Sequence, residues 1–222
     1  MINFDALIFD FDGVLLESEL ELNRLTAELL TELGHPTTLE EALEHYIGLT
    51  GADVIRVMEE RIGGPVPQAI HDNMREASRR ALEEGIQPIG GAVEFVRALP
   101  PHLRKAVASS SSTRWIRTHL NHLGLREAFE PHLYSGKEHV TRGKPAPDLY
   151  LHAAERLGAK IDRTVILEDS KVGATGAVAS GATVIGVAIG KHCLDGHAEM
   201  LSGVGVNHVV HSFDQVRALL GV

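Results

Sequence analysis

The sequence predicts an α/β protein, an open parallel sheet covered by helices and interrupted early by an all-helical insertion. Three observations lead to that class. Short apolar runs ending in a polar residue occur at Ala6 to Phe9 and recur from Lys105 onward. Helical periodicity fills the intervals between the later runs. Between residues 16 and 85, by contrast, no strand pattern occurs.

Ala6-Leu7-Ile8-Phe9, followed by Asp10-Phe11-Asp12-Gly13, reads as a buried strand running into a turn. Leu22, Leu25, Leu29, Leu30 and Leu33 then recur at helical spacing until Gly34 stops the helix. Further helices are predicted near 39–47, 51–62 and 67–84, separated by Gly48, Gly51 and Gly63-Gly64-Pro65. After Gly85 strands return at Lys105 to Ser109, His132 to Ser135, Thr164 to Glu168, Thr183 to Val187 and His208 to Val210. Helical patterns near 90–98, 113–123, 147–157, 171–179 and 213–220 accompany them, with Ser212 a candidate N-cap for the last. Strands alternating with helices predict a parallel sheet covered on both faces. The expected organisation is an α/β core of residues 1–15 and 86–222 and a helical insertion of residues 16–85.

The composition is that of a globular chain: 222 residues, 44% hydrophobic and 23% charged. One cysteine, Cys193, cannot form an internal disulfide, which fits a reducing compartment. No signal-peptide pattern opens the chain, and no apolar stretch approaches the roughly 20 residues that cross a bilayer. The expectation is a cytoplasmic monomer that meets no membrane. A net charge of −9 argues against a broad nucleic-acid surface. It also sits badly with an anionic ligand, unless the acidic residues hold a divalent cation. The 13 histidines form no HxxxH or HExxH pair and are read as solvated or structural.

Open parallel sheets bind ligands beyond the carboxyl ends of their strands. The polar residues directly after the apolar runs are therefore the candidates. Asp10 and Asp12 follow the first strand, Ser109 ends the second with Ser110 behind it, and Glu168 and Asp169 follow Thr164 to Leu167. Lys144 lies in the loop Gly143-Lys144-Pro145-Ala146-Pro147-Asp148 ahead of a helix. Such carboxylates gather only around a cation, and their oxygens suit magnesium. Asp10 could then attack phosphorus, and Asp12 could pass a proton to the leaving oxygen and later take one from water. Ser109 would hydrogen-bond a phosphoryl oxygen, and Lys144 would stabilise the developing charge.

Asp10-Phe11-Asp12-Gly13-Val14-Leu15, Ser109, Gly143-Lys144-Pro145 and Leu167-Glu168-Asp169-Ser170 resemble, in order and spacing, the four motifs of the haloacid dehalogenase-like hydrolases. They are most similar to the β-phosphoglucomutase-like subfamily, whose helical cap is inserted where residues 16–85 lie here. The resemblance implies a Rossmann-like core, with Asp10 as nucleophile and Asp12 as general acid and base. It implies magnesium held by the Asp10 carboxylate, the Asp12 carbonyl and Asp169, with Glu168 assisting, and phosphate held by Ser109, Ser110 and Lys144.

Within that family a dehalogenase is disfavoured because Asp12 is present. A phosphonatase is disfavoured because no lysine occurs between residues 16 and 85. A mutase of the β-phosphoglucomutase type would carry a hinge histidine where Leu22 stands and an arginine near Gly51. A non-catalytic binding protein on the same fold would be expected to lose Asp10, Asp12, Lys144 or Asp169, and all four are intact. The preferred expectation is a phosphatase acting on a small phosphorylated metabolite, a sugar phosphate or sugar-acid phosphate. Its specificity contacts would come from Glu17 and Glu19 at the cap entry and from Thr50 in the cap loop.

Overall fold

The computed structural model describes residues 2–49 and 51–222. A six-stranded parallel sheet runs through it: β1 (Ala6–Phe9), β2 (Arg104–Ser109), β3 (Leu133–Ser135), β4 (Thr164–Glu168), β5 (Thr183–Val187) and β6 (His208–Val210). The spatial order is β3-β2-β1-β4-β5-β6. The chain starts at the centre, builds outward to β3, then returns to the other side of β1. The point where the order reverses therefore lies at the end of β1, which is where open sheets of this kind bind ligands.

Alternation along the strands divides the core in two. Leu7, Phe9, Val107, Val165, Leu167 and Ile185 face α5 (Ala92–Ala98), α6 (Thr113–Leu123) and α11 (Phe213–Leu220). Ala6, Ile8, Ala106, Ala108, Ile166 and Val184 face α8 (Asp148–Arg156) and α9 (Lys171–Ser180). All four residues of β1 are buried, as expected of a strand covered on both faces.

Between β1 and β2 lie α1 (Ser18–Glu32), α2 (Leu39–Tyr46), α3 (Ala52–Ile62) and α4 (Gln68–Glu84). These helices enclose a separate apolar cluster that includes Leu29, Leu30, Tyr46, Val54, Met58 and Ile70. Thr38 and Glu41 close a capping box that sets the start of α2. At the base of the insertion Leu16 bridges both Asp12 and Pro88, so the outgoing and returning chains run side by side.

Two elements depart from the sequence expectation. A short α7 (Arg126–Phe129) and α10 (His197–Val204) form where no helix is anticipated. The first is a single turn. The second carries two glycines at its ends and one within, which dilutes its apolar period. Ser212 does cap α11, accepting a hydrogen bond from the Gln215 amide at 3.3 Å.

Phe129 stands edge-on to Phe9 with ring centroids 5.3 Å apart, and both rings are buried. Phe129→Ala should lose about 3–5 kcal/mol of stability. Urea denaturation reads this as a lower midpoint with an unchanged slope; a midpoint within error of the wild type would contradict the packing described.

Candidate active site

The carboxyl edge of the sheet gathers the candidate residues. The Asp10 amide extends the β1 ladder by donating to the Leu167 carbonyl at 2.9 Å, which sets the Asp10 side chain just past the strand. Gly13 then turns the chain with φ +80°. A Cβ there would stand 2.0 Å from Asp169 Oδ2, so only glycine allows the two loops to approach this closely.

Lys144 enters from the loop before α8 and is almost fully enclosed. Its ammonium donates to Asp10 Oδ1 at 2.6 Å and to Glu168 Oε2 at 3.1 Å, and lies 5.2 Å from the Tyr150 ring centroid. Burial opposes its charge, but the carboxylates of Asp10 and Glu168 outweigh that and hold it well above the ordinary lysine range. Burial, with the charge of Glu168 adding to it, pushes the Asp10 carboxyl well up despite Lys144.

Glu168 is wholly buried, and both of its oxygens are engaged. Oε2 accepts from Lys144 and from the Tyr150 hydroxyl at 3.2 Å, and Oε1 accepts from the Ser170 amide at 3.3 Å and its hydroxyl. Ser170 also caps α9, accepting from the Gly173 amide at 3.0 Å. These bonds make Glu168 chiefly an anchor for Lys144.

Asp12 lies on the opposite wall and accepts four hydrogen bonds. Ser18 Oγ at 2.7 Å and Trp115 Nε1 at 3.0 Å reach Oδ1, while Ser111 Oγ at 2.7 Å and Ser109 Oγ at 3.3 Å reach Oδ2. Ser110 lines the same small recess as Asp10, Asp12, Ser109, Lys144 and Ser170.

Asp169 completes the edge. Its Oδ2 lies 2.9 Å from His192 Nε2, whereas Oδ1 is buried with no hydrogen-bond partner among the described residues. A buried carboxylate oxygen without a donor is costly unless a cation meets it. Asp10, Glu168 and Asp169 each bring one oxygen within 4.8 Å of the others. An all-oxygen, anionic set with one orphaned member fits magnesium.

The cap residues divide. Glu19 is buried, accepts from Asn23 Nδ2 at 3.1 Å, and lines both the small recess and a larger cavity. Burial first, and then the charge of Asp169, push its carboxyl up to about 8. Glu17 differs from the expectation that it faces the ligand. The paired linker fixes its backbone, with its amide donating to the Gln87 carbonyl at 2.9 Å. Its carboxylate turns instead to the Lys191 amide, at 3.1 and 3.2 Å, and to His192 Nδ1 at 3.5 Å. Thr50 lies outside the described residues. Trp115, Ser111, Tyr150 and His192 are contacts that the sequence reading missed. Only Ser111 carried a signal, as part of the run Ser109 to Ser112.

The larger cavity, of about 810 Å³, opens between the helices inserted after β1 and the end of the sheet. Ser18, Glu19, Ser111 and Trp115 line it around Asp12, while Leu25, Ile55 and Met74 form part of its cap wall.

A family profile described as haloacid dehalogenase-like hydrolase matches residues 7–187. The chain belongs to this family. It is 29% identical over 188 residues to a fructose-1-phosphate phosphatase of Escherichia coli (strain K12), covering 83% of this chain and 96% of that one. Among solved structures, a conserved haloacid dehalogenase-like protein of Agrobacterium tumefaciens (strain C58) superposes with a TM-score of 0.86 at 33% identity, covering 98% of each chain. A hydrolase of the same family from Deinococcus radiodurans R1, solved with bound phosphate and sodium, gives 0.81 at 32% identity, covering 100% of this chain and 96% of the other.

Two predictions follow from the geometry of this family member. A Cβ at Gly173 would stand 1.7 Å from Glu168 Oε1. Gly173→Ala should therefore displace Glu168 and loosen Lys144, weakening inorganic phosphate binding by calorimetry while the far-ultraviolet spectrum stays native. Unchanged phosphate affinity would rule out the anchoring role of Glu168. The second concerns Glu19, whose carboxyl rises from 4.5 to about 8 on folding. The native state then holds the extra proton between those values. This group's contribution to stability is fully present below about pH 4.5, is lost as the pH rises to about 8, and changes no further above that. In EDTA, the stability of Glu19→Gln relative to wild type should rise from about pH 5 to about pH 8 and then level; a flat difference across denaturation curves would contradict it.

Proposed function

We propose that the chain is a magnesium-dependent phosphomonoesterase that hydrolyses a small phosphorylated metabolite through an aspartyl-phosphate formed on Asp10. The observation that carries this reading is the pairing of Asp10 with Lys144 beside the orphaned oxygen of Asp169, in a recess also lined by Ser109 and Ser110. An anionic nucleophile, a fixed cation, hydroxyl donors and a carboxylate oxygen open to a cation meet at the carboxyl edge of the sheet.

In this mechanism the Asp10 carboxylate attacks phosphorus as the bond to the leaving oxygen breaks, and Asp12 gives that oxygen its proton. Asp12 then takes a proton from water, the water oxygen attacks phosphorus, and inorganic phosphate departs with Asp10 restored. Ser109, Ser110 and Lys144 hold the phosphoryl oxygens. Glu168 and Tyr150 hold Lys144. Asp10, the Asp12 carbonyl and Asp169 would hold magnesium, whose charge, when bound, offsets that of the phosphoryl group.

Residues 1–15 and 86–222 act as the core and residues 16–85 as a cap that closes over the substrate and excludes water. The separate apolar cluster of the cap and the Leu16 bridges to Asp12 and Pro88 at its base support that division. For the leaving group we favour a sugar phosphate or sugar-acid phosphate. The relative named for fructose-1-phosphate supports this, as do the polar groups of Ser18, Glu19 and Ser111 around Asp12. Leu22 and Gly51 line the cavity without a polar side chain, which favours hydrolysis over transfer to a second site on a sugar.

Phosphate release from a panel of sugar phosphates, sugar-acid phosphates and nucleotides, with magnesium and with EDTA, tests the proposal. Magnesium-dependent release concentrated on a few sugar derivatives is expected, and no release from the folded, magnesium-loaded protein would refute it. Asp10→Asn should abolish turnover without loss of stability, and near-wild-type activity would remove the nucleophile assignment. Asp169→Ala should raise the magnesium concentration needed for half-maximal rate by about 10-fold or more; an unchanged requirement would exclude it as a ligand.

A further inference from the structure

A second group of potential ligands lies beside the carboxylates. His192 and Cys193 sit in the loop after β5, and His197 is the first residue of α10. Each offers one ligand atom within 4.8 Å of the others, and Cys193 Sγ is 3.4 Å from His192 Nε2. Both imidazoles are buried, while the thiol is partly exposed and so provides an entry path.

The groups behind the two rings are those that orient metal-ligating histidines. His197 Nε2 lies 2.8 Å from the Asp169 carbonyl, which fixes the proton there and leaves Nδ1 as a lone-pair donor. His192 Nδ1 faces the Glu17 carboxylate at 3.5 Å, and that carboxylate is itself held by the Lys191 amide. A carbonyl behind one imidazole and a carboxylate behind the other supply the outer partners a histidine site needs. Asp169 Oδ2, 2.9 Å from His192 Nε2, stands close enough to be a fourth donor.

We propose that His192, Cys193 and His197, with Asp169 at the wall, form a second metal site that takes a borderline-soft divalent cation of the zinc class. The donor set decides the class. A thiolate and two imidazoles suit zinc, whereas the oxygen set of Asp10, Glu168 and Asp169 suits magnesium. With zinc–sulfur near 2.3 Å and zinc–nitrogen near 2.0 Å, tetrahedral partners lie about 3.5 Å apart, and the His192–Cys193 separation is already 3.4 Å. Asp169 would be shared, Oδ2 toward this site and Oδ1 left for magnesium. Uptake replaces the proton on His192 Nε2 and the thiol proton, so both are released to solvent.

The test is cobalt as a spectroscopic stand-in for zinc, added to metal-stripped full-length protein in excess magnesium. One equivalent of cobalt should give thiolate-to-metal charge-transfer absorption in the near ultraviolet with intense tetrahedral bands in the visible, and zinc should erase both. Cys193→Ser should lose the charge-transfer band, and Glu17→Gln should keep it while binding zinc about 10-fold more weakly or less tightly still. Circular dichroism melts establish that each variant is folded. Cobalt bound to wild type without a thiolate band, or zinc affinity unchanged in Cys193→Ser, would overturn the proposal. No phosphate ester enters these measurements, so their failure leaves the phosphatase reading untouched.

Discussion

Like charges have to be buried together at the end of β1, and the architecture of the site follows from how that cost is met. Asp10, Glu168 and Asp169 bring three carboxylates within 4.8 Å of one another, and Lys144 is the one ammonium that bonds to them among the described residues. Isolated buried carboxylates are expensive, and repulsion among them adds to the expense. One lysine offsets part of it. Glu168 is answered fully, by Lys144, Tyr150 and Ser170, and Asp10 in part. Asp169 keeps an oxygen that no donor among the described residues reaches. The remaining deficit is positive charge, which the proposed divalent cation would supply. A chain of net charge −9 can thus attract an anionic ester.

The same crowding explains where the chain has no side chain to spare. Gly13 brings the loop after β1 against Asp169, and Gly173 brings the first turn of α9 against Glu168. Each glycine marks a carboxylate approached by backbone. Helix α9 begins at Ser170, which bonds to Glu168 and caps the helix with the same hydroxyl. Strand end, acidic pair and helix start are therefore one unit, and a change in any of them reaches Lys144.

Much of this was legible in the sequence because it is local. The run Ala6 to Phe9 is apolar on both alternating faces, so it had to be a covered strand, and Asp10 had to emerge from its end. Thr164 to Glu168 reads the same way. What stayed hidden depends on contacts across long stretches of chain. Trp115 reaches Asp12 over 103 positions, and His192 reaches Asp169 over 23. No periodicity records either. Glu17 was assigned to the ligand pocket on its position at the cap entry. Its direction is set by the paired linker and by the Lys191 amide, which only the fold brings near. The histidines were judged by spacing along the chain. His192, Cys193 and His197 are near in sequence, but they precede or open α10, and it is the turns of the loop after β5 that bring their side chains together.

The hydrogen bonds of Asp12 bear on how the proposed chemistry is timed. A general acid has to carry a proton, and this carboxylate accepts four donors in the structure, each of which has to make room for it. The donors are unequal. Ser18 and Ser111 are close at 2.7 Å, and Ser109 is the most distant at 3.3 Å. Ser109 is also the hydroxyl assigned to a phosphoryl oxygen, so substrate binding competes for the weakest of the four bonds. Ser18 opens α1 of the helical insertion, whereas Ser111 lies between β2 and α6 and Trp115 lies in α6. Closure of the proposed cap would therefore alter the support of Asp12 from one side only. In the proposed mechanism, proton transfer is thereby tied to cap position and phosphate occupancy through a single side chain.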